Sequence, residues 1–134
     1  MKKQYDKKPL EIATKGMVEY MQQIDRISVE ELRKMSKKLL DPLVKAVVDV
    51  RRKIVVVDAD LHVDEELFLL ENGSAKEDLW GINLWPELYG GCGFIEFDAL
   101  INMRPFQNNR SRGVEDESVR RRIQEIVGGV VYAG

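Results

Sequence analysis

Phe94 to Arg104 reads FIEFDALINMR. Ile95, Phe97, Ala99, Ile101 and Met103 are apolar, and Glu96, Asp98, Leu100, Asn102 and Arg104 alternate with them. A period of two predicts one long strand over 94–104, with its odd-numbered side chains buried and its even-numbered side chains in water. The strand runs into Arg104-Pro-Phe-Gln-Asn-Asn-Arg-Ser-Arg-Gly113, a segment dense in hydrogen-bond donors.

The elements on either side set the fold class. Ser28 and Glu31 have capping-box spacing, with Ile27 and Leu32 in staple positions. Val29, Leu32, Met35, Leu39 and Leu40 form the apolar stripe of the helix that follows, and Asp41-Pro42 stops it. Leu43–Val50 and Lys53–Asp58, rich in Val and Ile, read as two strands joined through Arg51-Arg52; no Gly or Asn marks a tight turn between them, and one long bent strand is the alternative. Leu61–Glu71 reads as a further strand ending at Asn72-Gly73-Ser74, and Leu79–Trp85 as a shorter one closed by Pro86. A second helix starts near Asp116, buries Val119, Ile123, Ile126, Val127 and Val130, and ends at Gly128-Gly129. The expectation is an α+β fold: a mostly antiparallel sheet of four to five strands with two helices packed on one face.

The chain has 134 residues, 44% of them hydrophobic, enough for one domain with a real core. Residues 27–131 are read as that domain. Residues 1–26 are read as an N-terminal extension, weakly helical through Ile12, Met17, Val18, Met21 and Ile24 or loosely attached. With 21 basic and 23 acidic residues the net charge is −2, which argues against a nucleic-acid partner. No apolar run approaches the ~20 residues of a membrane helix, and no secretion signal opens the chain. Cys92 is the single cysteine, so no intramolecular disulfide forms and no multi-cysteine zinc site exists. These features point to a cytoplasmic protein.

The residues hold no complete catalytic signature, and the cofactor stays unknown. Arg104, Asn109, Arg110 and Ser111 form the first candidate site, for a small anionic molecule: arginines fork onto carboxylate or phosphate oxygens, and a helix N-terminus follows. The alternative is a solvated loop whose Asn and Ser satisfy their own turns. Trp80 and Asn83, in the Trp80–Trp85 segment, extend this surface; a satellite core under a loop is the plainer account of Trp80, Trp85 and Tyr89. If 61–71 is a strand, His62, Asp64 and Glu66 share a face, which suits a metal held by His62 and Asp64. Glu96 and Asp98 form a carboxylate pair on the wet face of the long strand. Each of these has an ordinary reading as exposed strand polarity.

The segments ISVEEL (27–32), KAVVDV (45–50), LHVDEE (61–66), NGSAKEDLWGINLWPE (72–87) and FIEFDALINMRPFQNNRS (94–111) resemble a family of small prokaryotic proteins of unknown function. The resemblance runs from about Ile24 to Val130. Where a Gly-Gly-Glu-Leu-His-Ala-Asp string is common in the family, this chain has Asp58-Ala-Asp-Leu-His-Val-Asp64, so His62 and Asp64 match and the turn before them departs. The resemblance implies a natural compact domain and no particular activity. Three functions follow as expectations. The first is an intracellular binding or regulatory module for a small anionic ligand. The second is a metal-assisted hydrolase for a phosphorylated or nucleotide-like substrate, with His62 and Asp64 on the metal and Arg104 and Arg110 on the anion. The third is a homo-oligomer using an exposed strand edge.

Overall fold

The computed structural model describes residues 8–9, 21–38 and 40–134. Its centre is an antiparallel sheet of six strands in the order β1-β2-β5-β4-β6-β7. These are β1 (Lys8–Pro9), β2 (Gln22–Ile24), β4 (Val44–Asp49), β5 (Ile54–Val57), β6 (Leu79–Leu84) and β7 (Ile95–Glu96). A separate parallel pair joins β3 (Ile27–Ser28) to β8 (Val131–Tyr132). Three α-helices complete the α+β architecture: α1 (Val29–Ser36), α2 (His62–Glu71) and α3 (Glu117–Val130). No helix among the described residues is long and apolar enough to cross a membrane.

Alternation along the central strands divides their side chains between two cores. Val44, Ala46, Val48, Val55, Val57, Ile82 and Leu84 pack with α1 (Val29, Leu32) and α3 (Ile123, Val127). Val47, Val56 and Leu79 pack on the other face with Leu69 of α2. The two anticipated helices therefore share one face, and a third helix covers the second.

That third helix corrects the reading of 61–71 as a strand. His62, Glu65, Glu66 and Leu69 are its buried positions, a helical i, i+3, i+4, i+7 spacing. Two of the four are glutamates, so a count of apolar residues alone misses the stripe. The long strand of 94–104 is a second correction. Only Ile95–Glu96 pair with β6; Leu100–Asn102 and Pro105–Gln107 are short 3-10 turns. Phe94 is buried, Ile95 to Asp98 are all half-buried, Asn102 is fully buried and Met103 is 47% exposed, so the expected alternation of burial fails along the segment.

Smaller differences have local causes. The capping box is present, with Ser28 Oγ accepting from Glu31 N–H at 3.0 Å and Glu31 Oε1 accepting from Ser28 N–H at 3.1 Å. Helix α1 ends at Ser36, before Asp41-Pro42; Leu40 is fully exposed, and Leu39 lies outside the described residues. The β4–β5 turn needs no glycine because the buried Asp49 carboxylate accepts from Arg51 and Arg52 N–H at 2.9 and 2.8 Å, and Lys53 takes φ 61°. Helix α3 runs through Gly128-Gly129 to Val130, where Val131 passes into pairing with Ile27. Gln22–Ile24 form a strand on β5, not a helix; Ile12, Met17 and Val18 lie outside the described residues.

Candidate functional site

Strand β7 pairs with only the last residues of β6, so the earlier part of the β6 edge needs other partners. Side chains supply them. Asn102 Oδ1 accepts from Gly81 N–H at 2.8 Å, and Asn102 Nδ2 donates to Gly81 C=O at 3.0 Å and Arg112 C=O at 2.9 Å. One carboxamide thus pairs a whole peptide unit, as a neighbouring strand would. One position further along, Arg104 donates from Nη2 to Leu79 C=O at 2.9 Å and from Nη1 to Lys76 C=O. Its guanidinium lies 4.1 Å from the centroid of the Trp80 ring, and the residue is 2% exposed. Asn109 is equally buried; its Nδ2 donates to Asn102 and Gly113 C=O at 2.8 and 2.7 Å, and its Oδ1 accepts from Glu115 N–H.

The expected anion cradle after Arg104 holds an anion of its own. Glu115 Oε2 accepts from Arg110 N–H at 2.9 Å and Ser111 N–H at 2.8 Å. Hydrogen bonds from Ser111 and Arg110 hold this carboxyl below its usual range. Of the loop candidates, then, Arg104 and Asn109 are inside the fold, while Arg110 and Ser111 present backbone donors to Glu115.

A different set of polar side chains meets above the α2 face of the sheet. Lys45, Asn83 and Glu96 are direct partners across β4, β6 and β7 and share that face. His62, the first residue of α2, comes over them, and Asp98 and Arg112 close the side as an ion pair. Leu43, Leu61, Val63, Leu100 and Ile101 supply an aliphatic wall. The cavity so formed has a volume of about 310 Å³. That is the lower end of the size range for small-molecule sites.

Each polar group here has a definite state. His62 Nε2 is 2.8 Å from Ile82 C=O, which fixes the proton on Nε2 and leaves Nδ1 as an acceptor in the neutral ring. Burial pushes the imidazole below its ordinary pKa; the Lys45 ammonium reinforces this, and the Ile82 carbonyl, the Asn83 side chain and the Asp98 carboxylate oppose it. Asn83 Nδ2 donates to Glu96 Oε1 at 3.0 Å and Asp98 C=O at 3.2 Å, and Trp85 Nε1 shares Glu96 Oε1 at 2.9 Å. Asn83 Oδ1 is buried and has no hydrogen-bond partner among the described residues. Lys45 makes no ion pair among the described residues. Leu61, at the N-cap of α2, makes no side-chain capping bond, and Leu61, His62 and Val63 at this helix start line the cavity.

Gly81 makes the close approach possible. A Cβ at this position would stand 2.6 Å from Ala99 Cβ and 3.2 Å from His62 Cδ2.

The model of the family described as "Protein of unknown function (DUF5674)" matches residues 21–130. The chain belongs to that family. No curated protein and no solved structure matches the chain. The geometry must therefore carry the functional argument for this DUF5674 chain. Of the residues singled out from sequence, His62 and Asn83 meet in the cavity with Asp98. Asp64 does not join His62: two positions along a helix lie on nearly opposite faces, whereas a strand would have aligned them. Among the described residues no group of three or more His, Cys, Asp or Glu is placed to hold a metal. Trp80 belongs to the α1/α3 core under Arg104. Lys45 is the residue missed. It is the one charged position in the buried run Val44–Asp49 apart from Asp49 at the turn, and that interruption was its signal.

Proposed function

We propose that this protein is a non-catalytic cytoplasmic binding or regulatory module whose ligand is a small anionic molecule held between the start of α2 and the β4–β6–β7 face. The observation that carries the reading is Lys45: an ammonium with no counter-ion among the described residues, at the mouth of a cavity whose other cation, Arg112, is already paired with Asp98. The uncapped N-terminus of α2 adds a positive partial charge on the same side. His62, with its pKa lowered by burial, adds no positive charge of its own near neutral pH.

The test compares the full chain with Lys45→Met, which keeps the length of the stem and removes the charge. Inorganic phosphate and acetate are titrated while thermal unfolding is followed. At 100-fold excess over Kd, a ligand stabilises by about 2.7 kcal/mol. The expected result is a rise in Tm for the natural chain that is lost in Lys45→Met. Equal rises in both proteins would remove Lys45, and with it the site.

A further inference from the structure

The cavity also specifies what kind of anion it takes, an inference that rests on the reading above. Asn83 is 6% exposed. Its Nδ2 faces two acceptors, Glu96 Oε1 and Asp98 C=O, so a flipped amide would set oxygen against oxygen. Oδ1 therefore has a fixed direction, and it is left without a partner. His62 adds a second acceptor, Nδ1, because Nε2 is engaged by Ile82 C=O. Native structures rarely leave a buried polar atom unpaired without a reason, and a bound ligand's donor is one. Beyond these acceptors the wall is aliphatic, and Leu100 stands 66% exposed at its rim.

We propose that the ligand is a small monocarboxylate with a hydroxyl or ammonium group on the carbon beside the carboxylate and an aliphatic tail. The carboxylate meets Lys45 and the start of α2. The neighbouring donor meets Asn83 Oδ1, with His62 Nδ1 available to a second N–H. The tail lies on Leu43, Leu61 and Leu100. A phosphate fills the first of these contacts only. A plain fatty acid of the same length fills the first and third, and leaves the Asn83 oxygen unpaired.

The experiment is calorimetric titration of the full chain with four probes: 2-hydroxy-4-methylpentanoate, leucine, 4-methylpentanoate and inorganic phosphate. The hydroxy acid or leucine is expected to bind at least about tenfold more tightly than 4-methylpentanoate, the factor expected of one buried acceptor satisfied or left bare. Which of the two binds tells hydroxyl from ammonium. If 4-methylpentanoate binds as tightly as both, or phosphate alone binds, the ligand class is overturned while the anion site stands. If none of the four binds, the anion site itself fails. Two variants then locate the contacts. Asn83→Ala is expected to level the preference between hydroxy acid and plain acid. Leu100→Ser, at an exposed position, removes the aliphatic contact without adding charge and is expected to weaken both aliphatic acids and leave phosphate unchanged. Leu100→Ser binding the preferred acid as the natural chain does would overturn the proposal even if Asn83→Ala does not fold.

Discussion

Asn102 engages every polar atom of its side chain with backbone: Oδ1 with Gly81 N–H, Nδ2 with Gly81 and Arg112 C=O. Removing it strands a buried peptide unit in the middle of β6, and a buried group left unpaired costs about 1–3 kcal/mol. Asn102→Ala is therefore expected to destabilise the protein by roughly 3 kcal/mol in urea unfolding. A loss under about 1 kcal/mol would mean that water or a shifted strand takes over the edge. Gly81 gives a second residue-scale test. Gly81→Ala places a methyl 2.6 Å from Ala99 Cβ and should cost about 1–3 kcal/mol by overpacking. The double variant Gly81→Ala, Ala99→Gly should recover part of that loss. A cycle with no coupling between the two positions would show that the tight approach is not what excludes a side chain at 81.

At the scale of elements, the β5–α2 junction carries two buried acids. Asp58, at φ 80° and paired with Lys38 at 2.6 Å, is raised from 3.8 to about 6, burial outweighing the lysine. Glu65 is fully buried; its Oε2 accepts from Ala59 N–H at 3.0 Å, Oε1 has no partner among the described residues, and burial raises it well above its usual value. A carboxyl raised on folding binds its proton more tightly in the native state. Its contribution is thus complete below the unfolded value, near 4, and is lost as pH climbs through the native one. For Asp58 that window is pH 4 to 6. Glu65→Gln should accordingly match the natural chain near pH 4 and become the more stable of the two by pH 8, read by urea unfolding across pH. A constant difference at all pH values would show that Glu65 binds its proton equally well in the folded and unfolded protein. This junction also marks where the sequence misleads. Glu65 and Glu66 lie on the buried side of α2, so the helical period is visible only if polar residues are counted as core. The alternation at 94–104 misleads in the opposite way. Ile95 to Asp98 are all half-buried, and Asn102 turns inward because its carboxamide substitutes for the missing strand on β6. The capping box, the Val-rich strand segments, the β6 strand and the start of α3 were legible because each rests on local pattern, whereas the turn between the Val-rich segments, built by the Asp49 side chain, was not. The edge closure was not, since Asn102 and Gly81 are 21 positions apart.

Across the whole molecule, two clusters of donors separate by role. The loop after Met103 is scaffold: Arg104, Asn102 and Asn109 face inward to carbonyls, and Arg110 and Ser111 hold Glu115. In the cavity between α2 and the sheet, Asn83 Oδ1 has no hydrogen-bond partner and Lys45 no ion pair among the described residues. The sequence places His62 and the Trp80–Trp85 segment on one contact surface with the loop, but on a strand at 61–71; it is the helix starting at His62 that brings this side chain over Asn83. Two substitutions separate the roles. Arg104→Leu should destabilise by several kcal/mol, with two carbonyls losing their donor, yet whatever remains folded should bind anions normally. Lys45→Met should do the reverse. The most direct measurement is a two-dimensional 15N–1H correlation spectrum of the full chain, titrated with 2-hydroxy-4-methylpentanoate. The account predicts that the resonances that move cluster at Lys45, Leu61–Val63 and Asn83. Movement concentrated instead at Arg104 to Ser111, with the cavity silent, would contradict it.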